Sequence, residues 1–296
     1  MRKLLIIIAA MLFLIAGCTD GGMKEEEIPV SAEDAMKLEC AVYLDGGGYL
    51  VPMKVTSDWS DAYSGISDAL KNGSSQKGGV IPESAEVEIT TNGGIAHVSI
   101  RNVYDMPKED AKRMIESTAA TLLQFGGIDE VNIEINGLKN FCGNDLTAPI
   151  SNVYLNPAYP IGDYEPFTVW YKNGEDLLVP VTKEAPEHSP KVLVNAMINE
   201  PANNEELKSL LPAGTALKSA RLEGGTLMLD FSEDLYSLAA VPNAEKLFFQ
   251  GINMTCMQME GVEDVKVYIN GSEYKSEYGG EYSTVSVFSN SADFTE

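Results

Sequence analysis

The chain has 296 residues, 44% of them hydrophobic, and a formal net charge of -23. That length allows more than one core-forming unit. A polyanion of this size repels nucleic acid and anionic lipid surfaces, which excludes nucleic-acid binding; the acidity serves solubility or basic partners.

The N-terminus reads as an export signal. Arg2 and Lys3 form a positive start, Leu4 to Ile15 an apolar run too short for a comfortable membrane span, and Leu14-Ile15-Ala16-Gly17-Cys18 follows. Small residues before a cysteine resemble a bacterial lipobox. Residues 1–17 are therefore expected to be a signal peptide and Cys18 the lipidated new N-terminus, holding the protein at the extracytoplasmic face of the cell membrane. The alternative is an ordinary signal peptide with an incidental cysteine. Residues 18–38 are polar and acidic without periodicity, which predicts a flexible tether.

The first unit, residues 39–140, starts with Ala41-Val-Tyr-Leu44 and Tyr49-Leu-Val51 around a glycine turn, a hairpin pattern. A helix is expected over 60–71, with Ala62, Ile66, Ala69 and Leu70 on one face. Two strands follow at 85–90 and 95–101 around Asn92-Gly93-Gly94. Ala96, Val98 and Ile100 alternate there with His97, Ser99 and Arg101, one set for the core and one for solvent. The longest helix begins near Pro107, carries Glu109 and Asp110 in its first turn and is predicted to stop at Gly126. Val131, Ile133 and Ile135 define an inward-facing final strand, closed by Asn136-Gly137.

Residues 141–166 are aperiodic and read as a linker on which Tyr154 and Tyr159 are available to dock. The second unit, 167–275, repeats the order: a hairpin at Thr168–Tyr171 and Leu177–Val179, a helix over 190–199, strands at 216–222 and 226–232, a helix from an Asn243 N-cap to Gly261, and a last strand. Gly261-Val-Glu-Asp-Val-Lys-Val-Tyr-Ile-Asn-Gly271 matches Gly127-Ile-Asp-Glu-Val-Asn-Ile-Glu-Ile-Asn-Gly137 at five identical positions. An offset of 134 suits a duplicated domain rather than a solenoid unit. The fold class expected is α+β, two tandem two-layer α/β sandwich domains, each hairpin-α-β-β-α-β, with the strands reading as antiparallel. The tail, 276–296, is read as flexible, with Val285, Val287 and Phe288 leaving an added edge strand open.

Chemistry is sparse. Three cysteines besides Cys18 cannot all pair; a Cys40–Cys142 bridge is one possibility, and Cys256 aligns with core Leu122. His97 and His188 are the two histidines, and no His-x-x-x-His or Cys-x-x-Cys spacing points to a metal. Asp230 is a candidate acid, though a surface acid is the default in so acidic a chain. No catalytic set, metal site or cofactor is expected. Tyr43 and Trp170 occupy one repeat position and read either as partner anchors or as cross-strand packing.

The pattern resembles the GerMN-domain lipoproteins of endospore-forming bacteria. The resemblance rests on the lipobox at Cys18, on Val42-Tyr-Leu-Asp45 and Val169-Trp-Tyr-Lys172, on Leu50-Val-Pro52 and Leu178-Val-Pro180, on Leu229-Asp-Phe-Ser232 and on the two Ile-Asn-Gly endings. Ser99-Ile-Arg101 departs from the Asp-Phe-Ser pattern. The resemblance implies a non-enzymatic membrane-tethered protein of sporulation. Its implied role is assembly of the channel complex between mother cell and forespore, through contacts with other exported or membrane proteins; its domains are similar to that complex's ring-building modules. The alternative is a lipoprotein that binds cell wall or solute and assists peptidoglycan remodelling.

Overall fold

Apolar residues alternating across a glycine turn make the first element a long antiparallel hairpin, β1 (Lys37–Asp45) with β2 (Leu50–Asp58). The computed structural model describes residues 37–58, 62–199, 205–276 and Asn290, all within one compact unit, Met36–Glu296. The expected signal peptide, Cys18 and nearly all of the tether lie outside the described residues. The last two tether positions, Lys37 and Leu38, are already strand.

Helix α1 (Ala62–Asn72) buries Ile66, Ala69 and Leu70 against the hairpin. β3 (Glu86–Asn92) and β4 (Ile95–Arg101) pair antiparallel, and α2 (Lys108–Leu123) crosses over them to β5 (Glu130–Ile135). β5 runs parallel to β4, which corrects the antiparallel expectation: a helical crossover returns the chain to the sheet in the same direction. The core faces agree with the alternation, Ala96, Val98, Ile100, Val131, Ile133 and Ile135 being buried while His97 and Arg101 are exposed.

The second half repeats this order. β8 (Glu165–Lys172) and β9 (Leu178–Ala185) form the hairpin, α3 (Pro190–Ile198) follows, and β10 (Leu217–Glu223), β11 (Thr226–Phe231) and β12 (Asp264–Ile269) form the sheet under α4 (Ala244–Cys256). β12 is again parallel to β11. The fold is α+β, two tandem hairpin-α-β-β-α-β units.

Several details differ from expectation. Residues 141–166 are not featureless: β6 (Asn140–Phe141) and β7 (Asn144–Asp145) make a small hairpin turning on Cys142 (φ 48°) and Gly143 (φ 79°). Ile150 then bonds Val131 of β5 through both backbone groups at 2.8 Å. A 3-10 helix at Glu233–Ala240 buries Leu235 and Leu238 where the sequence offered no clear period. α4 ends at Cys256 instead of Gly261, because residues 257–262 turn to reach β12, with Met259 N–H donating to Cys256 at 3.0 Å. Asn243 takes a left-handed conformation (φ 60°) and makes no side-chain cap bond, contrary to its expected capping role. The bridge weighed between Cys40 and Cys142 is absent, both thiols being free; Cys40 is buried in β1 while Cys142 occupies a turn. Cys256 is fully buried like Leu122. β13 (Ser272–Glu273) returns along β12 at the end of the second unit. Most of the tail, 277–289 and 291–296, falls outside the described residues, but Asn290 is buried.

The two hairpins are held by four amide side chains. At the end of α2, Gln124 accepts from Ala41 N–H (2.9 Å) and donates to Ala41 C=O (2.6 Å), occupying the outer edge of β1. Gln258, past the end of α4, does the same to Thr168 of β8 at 2.7 and 2.6 Å. On the inner side, Asn156 bonds both backbone groups of Leu50 (2.6 and 2.8 Å) and the Pro180 carbonyl (2.8 Å). Asn290 bonds both backbone groups of Leu178 (2.8 and 2.9 Å) and the Pro52 carbonyl (2.8 Å). Edge strands with free N–H and C=O groups are templates for unwanted pairing, and these amides satisfy them in place of another strand.

Candidate functional site

The residues singled out by the sequence are put to structural use. Trp170 is 8% exposed, and Tyr43 is half-buried. Each stands across its hairpin from a proline, Tyr43 from Pro52 and Trp170 from Pro180. Thr121 and Ser117 of α2 bond the Tyr43 backbone, and burial pushes its phenol up to about 12. Cross-strand packing is the reading this geometry supports.

Asp230 accepts from Gly271 N–H at 2.9 Å, and Ser232 Oγ accepts from Ala216 N–H at 3.0 Å. The Asp-Phe-Ser segment thus ties the C-terminal end of β11 to the turn after β12 and to the loop before β10. In the first half Ser99 bonds Glu134 (3.3 Å) and Arg101 pairs with Glu86 and Glu88, so the departure at Ser99-Ile-Arg101 exchanges turn anchoring for cross-strand contacts. Asn136 takes over the anchoring, gripping both backbone groups of Val103. His188 lies 2.9 Å from the Glu165 carbonyl and meets Phe167 edge-on, which pins the loop before α3 to β8. His97 stands on the outer face of β4.

Lys183 was not legible beforehand. Its ammonium reaches Tyr171 Oη (2.5 Å) and the Ala196 carbonyl (3.1 Å) at the end of α3, while Tyr171 Oη itself donates to Ala196 and Asn199. Burial lowers the lysine to about 8. A cation against the terminal carbonyls of a helix is favourable, and the arrangement serves as a cap.

Grooves lie open on two of the described sheet surfaces. The outer face of β3–β4–β5 carries a polar groove of about 340 Å³ lined by Glu88, His97, Ser99, Arg101, Asn132 and Lys139. Beside β12, Phe249 stacks on Tyr274 (6.0 Å, 10°), bordering a groove of about 390 Å³ that also takes in Lys266 and Lys275. The outermost strands β3 and β10 each have one ladder partner, and β10 is exposed along nearly its whole length. Tyr104, Tyr159 and Tyr164 are 82%, 64% and 56% exposed, and Tyr154 38%. Among the described residues no group of three His, Cys, Asp or Glu side chains is placed to hold a metal ion. No described helix is long and apolar enough to cross a membrane.

Comparison with known proteins agrees with the duplicated architecture. The family described as "Germane: Sporulation and spore germination" matches residues 42–140 and again 168–275. The chain is similar to the spore germination protein GerM of Bacillus subtilis (strain 168), with 27% identity over 238 residues, covering 72% of this chain and 63% of that protein. The chain therefore matches less than two thirds of that relative's length. The solved tandem GerMN domains of the sporulation protein GerM from Bacillus subtilis superpose with a TM-score of 0.64 at 23% identity, covering 86% of this chain and 99% of that one. With both halves of the chain matched in order, this protein belongs to the Germane family of sporulation and spore germination proteins.

Proposed function

We propose that this protein is a non-enzymatic, lipid-anchored tandem that supports sporulation by organising other exported or membrane proteins, including the channel complex between mother cell and forespore. The carrying observation is that Asp230, His188, Tyr43 and Trp170, the side chains best suited to chemistry or anchoring, are engaged in holding turns and hairpins. What the tandem offers a partner is a shape: rigid sheet faces, and strands β3 and β10 at the outer edges. Its negative charge favours basic partners. Lipidation of Cys18 would hold it at the extracytoplasmic face of the cell membrane.

The test is cross-linking and capture from sporulating cells with the full chain and with Cys18→Ala. Recovery of exported channel components with the first and their loss, with release from the membrane fraction, in the second is expected. Normal spore formation in a deletion strain, with no exported partner captured, would refute the reading.

Exposed Tyr104, Tyr159 and Tyr164 favour a second reading, cell-wall binding, because aromatic faces stack on sugar rings. Sedimentation with purified peptidoglycan separates the two: co-sedimentation that is lost in the triple alanine variant supports the wall.

A further inference from the structure

The contact between the two halves has the form of an isologous dimer interface. β2 and β9 face each other, and the groups at their junction correspond in pairs: Leu50 with Leu178, Pro52 with Pro180, Asn156 with Asn290. Each asparagine follows one repeat and bonds both hairpins, giving its two-fold contact to the leucine of its own repeat and its single contact to the proline carbonyl of the other. The backbone around them crosses over. Leu155, after the first repeat, lies on β9 of the second, accepting from Thr182 N–H at 2.7 Å and donating to Thr182 Oγ1 at 2.8 Å. Asn290, after the second repeat, lies parallel to β2 of the first, donating to the Pro52 carbonyl at 2.9 Å and accepting from Lys54 N–H at 2.7 Å. Leu155 and Asn156 after the first repeat, and Asn290 after the second, thus each reach the neighbouring hairpin. Such reciprocal exchange is the geometry of arm-swapped dimers, in which one patch recognises itself.

We propose that the β2–β9 face is a self-recognising surface whose natural occupant is a repeat of the same kind. The covalent connection between the halves is dispensable for their association, and a repeat from a second copy of this chain takes the same seat when the connection is cut. Beside the hairpin contacts, Lys77 of the first half pairs with Glu175 of the second at 2.7 Å, and the connector between Pro157 and Tyr164 lies outside this exchange, with Tyr159 and Pro160 exposed. The buried amide of Asn290 gives the surface its selectivity, since an apolar replacement strands the Leu178 N–H and carbonyl in a closed site.

The experiment places a protease site after Pro160 in the full chain, cuts it, and runs the product on a sizing column at micromolar concentration. The halves are expected to elute together at the position of the uncut chain. Two cut preparations bearing different affinity tags, mixed and incubated, are expected to yield pairs that carry both tags. Asn290→Ala in the cut protein is expected to weaken association about 10-fold, because its side-chain bond to the Pro52 carbonyl crosses between the halves and is lost, and because the Leu178 groups it leaves unpaired are shut away from water when the halves close, while the uncut variant still elutes as a monomer. Separation of the halves at micromolar concentration, folded or unfolded, overturns the proposal. So does retention of both halves with no exchange of tags over days, or an unchanged affinity in Asn290→Ala.

Discussion

Replacing Gln124 by alanine removes the side chain that closes the outer edge of β1. Two bonds to Ala41 are lost, at 2.9 and 2.6 Å, and Ala41 is 1% exposed, so water reaches its freed backbone groups poorly. A hydrogen bond contributes about 0.5–1.5 kcal/mol net, and a stranded buried partner adds to the loss, which puts the expected destabilisation at about 2 kcal/mol. Gln258 makes the equivalent pair of bonds at 2.7 and 2.6 Å, but it is exposed and Thr168 is only half-buried. Water substitutes there, and Gln258→Ala is expected to lose about 1 kcal/mol or less. Urea unfolding followed by circular dichroism measures both. With a slope of about 3 kcal/mol per M, the Gln124→Ala midpoint falls by about 0.7 M at unchanged slope. A fall below about 0.2 M, or a larger fall in Gln258→Ala, would refute the assignment of these amides as edge seals graded by burial.

Gly79→Ala should destabilise by roughly 2–3 kcal/mol in the same assay, because a Cβ would stand 2.0 Å from the Lys71 carbonyl oxygen and 2.7 Å from that of Leu70, and backbone cannot move aside cheaply. Stability should decline from about pH 9 upward: burial holds the Cys40 and Cys256 thiols up at about 11 and 12, so they stay protonated in the fold while the unfolded chain ionises and gains. Cys256→Val should flatten that decline in urea melts taken from pH 7 to 10.5. Lys183 works in the opposite direction, since a folded value near 8, below the unfolded one, makes its contribution rise between about pH 8 and 10. Lys183→Met should therefore steepen the alkaline decline; a variant that flattens it would contradict the sign.

Strand and helix identity came through in the amino-acid pattern because each element carries its own burial period. Ala96, Val98 and Ile100 announce a half-buried strand whatever surrounds them, and Met114, Ile115 and Leu122 announce the inner face of α2. Duplication was equally plain, since two copies at one offset share a fold. The parallel pairing of β5 and β12 was hidden, because a strand's sequence states which face is buried and leaves open which neighbour it meets. So were the four amide seals. Gln124 and Gln258 recur at the same 134-residue offset as the last strands, as do Val153-Tyr154-Leu155-Asn156 and Val287-Phe288-Ser289-Asn290, yet a polar residue in a loop has no period to mark it. Whether such an amide meets water or a bare strand edge depends on how the hairpins pack, and Lys183 becomes a helix cap solely because α3 ends above it. Local pattern determined the elements and their repetition; the joining of the two repeats was decided by tertiary contacts that no local period encodes, such as Asn156 with Pro180 and Asn290 with Pro52.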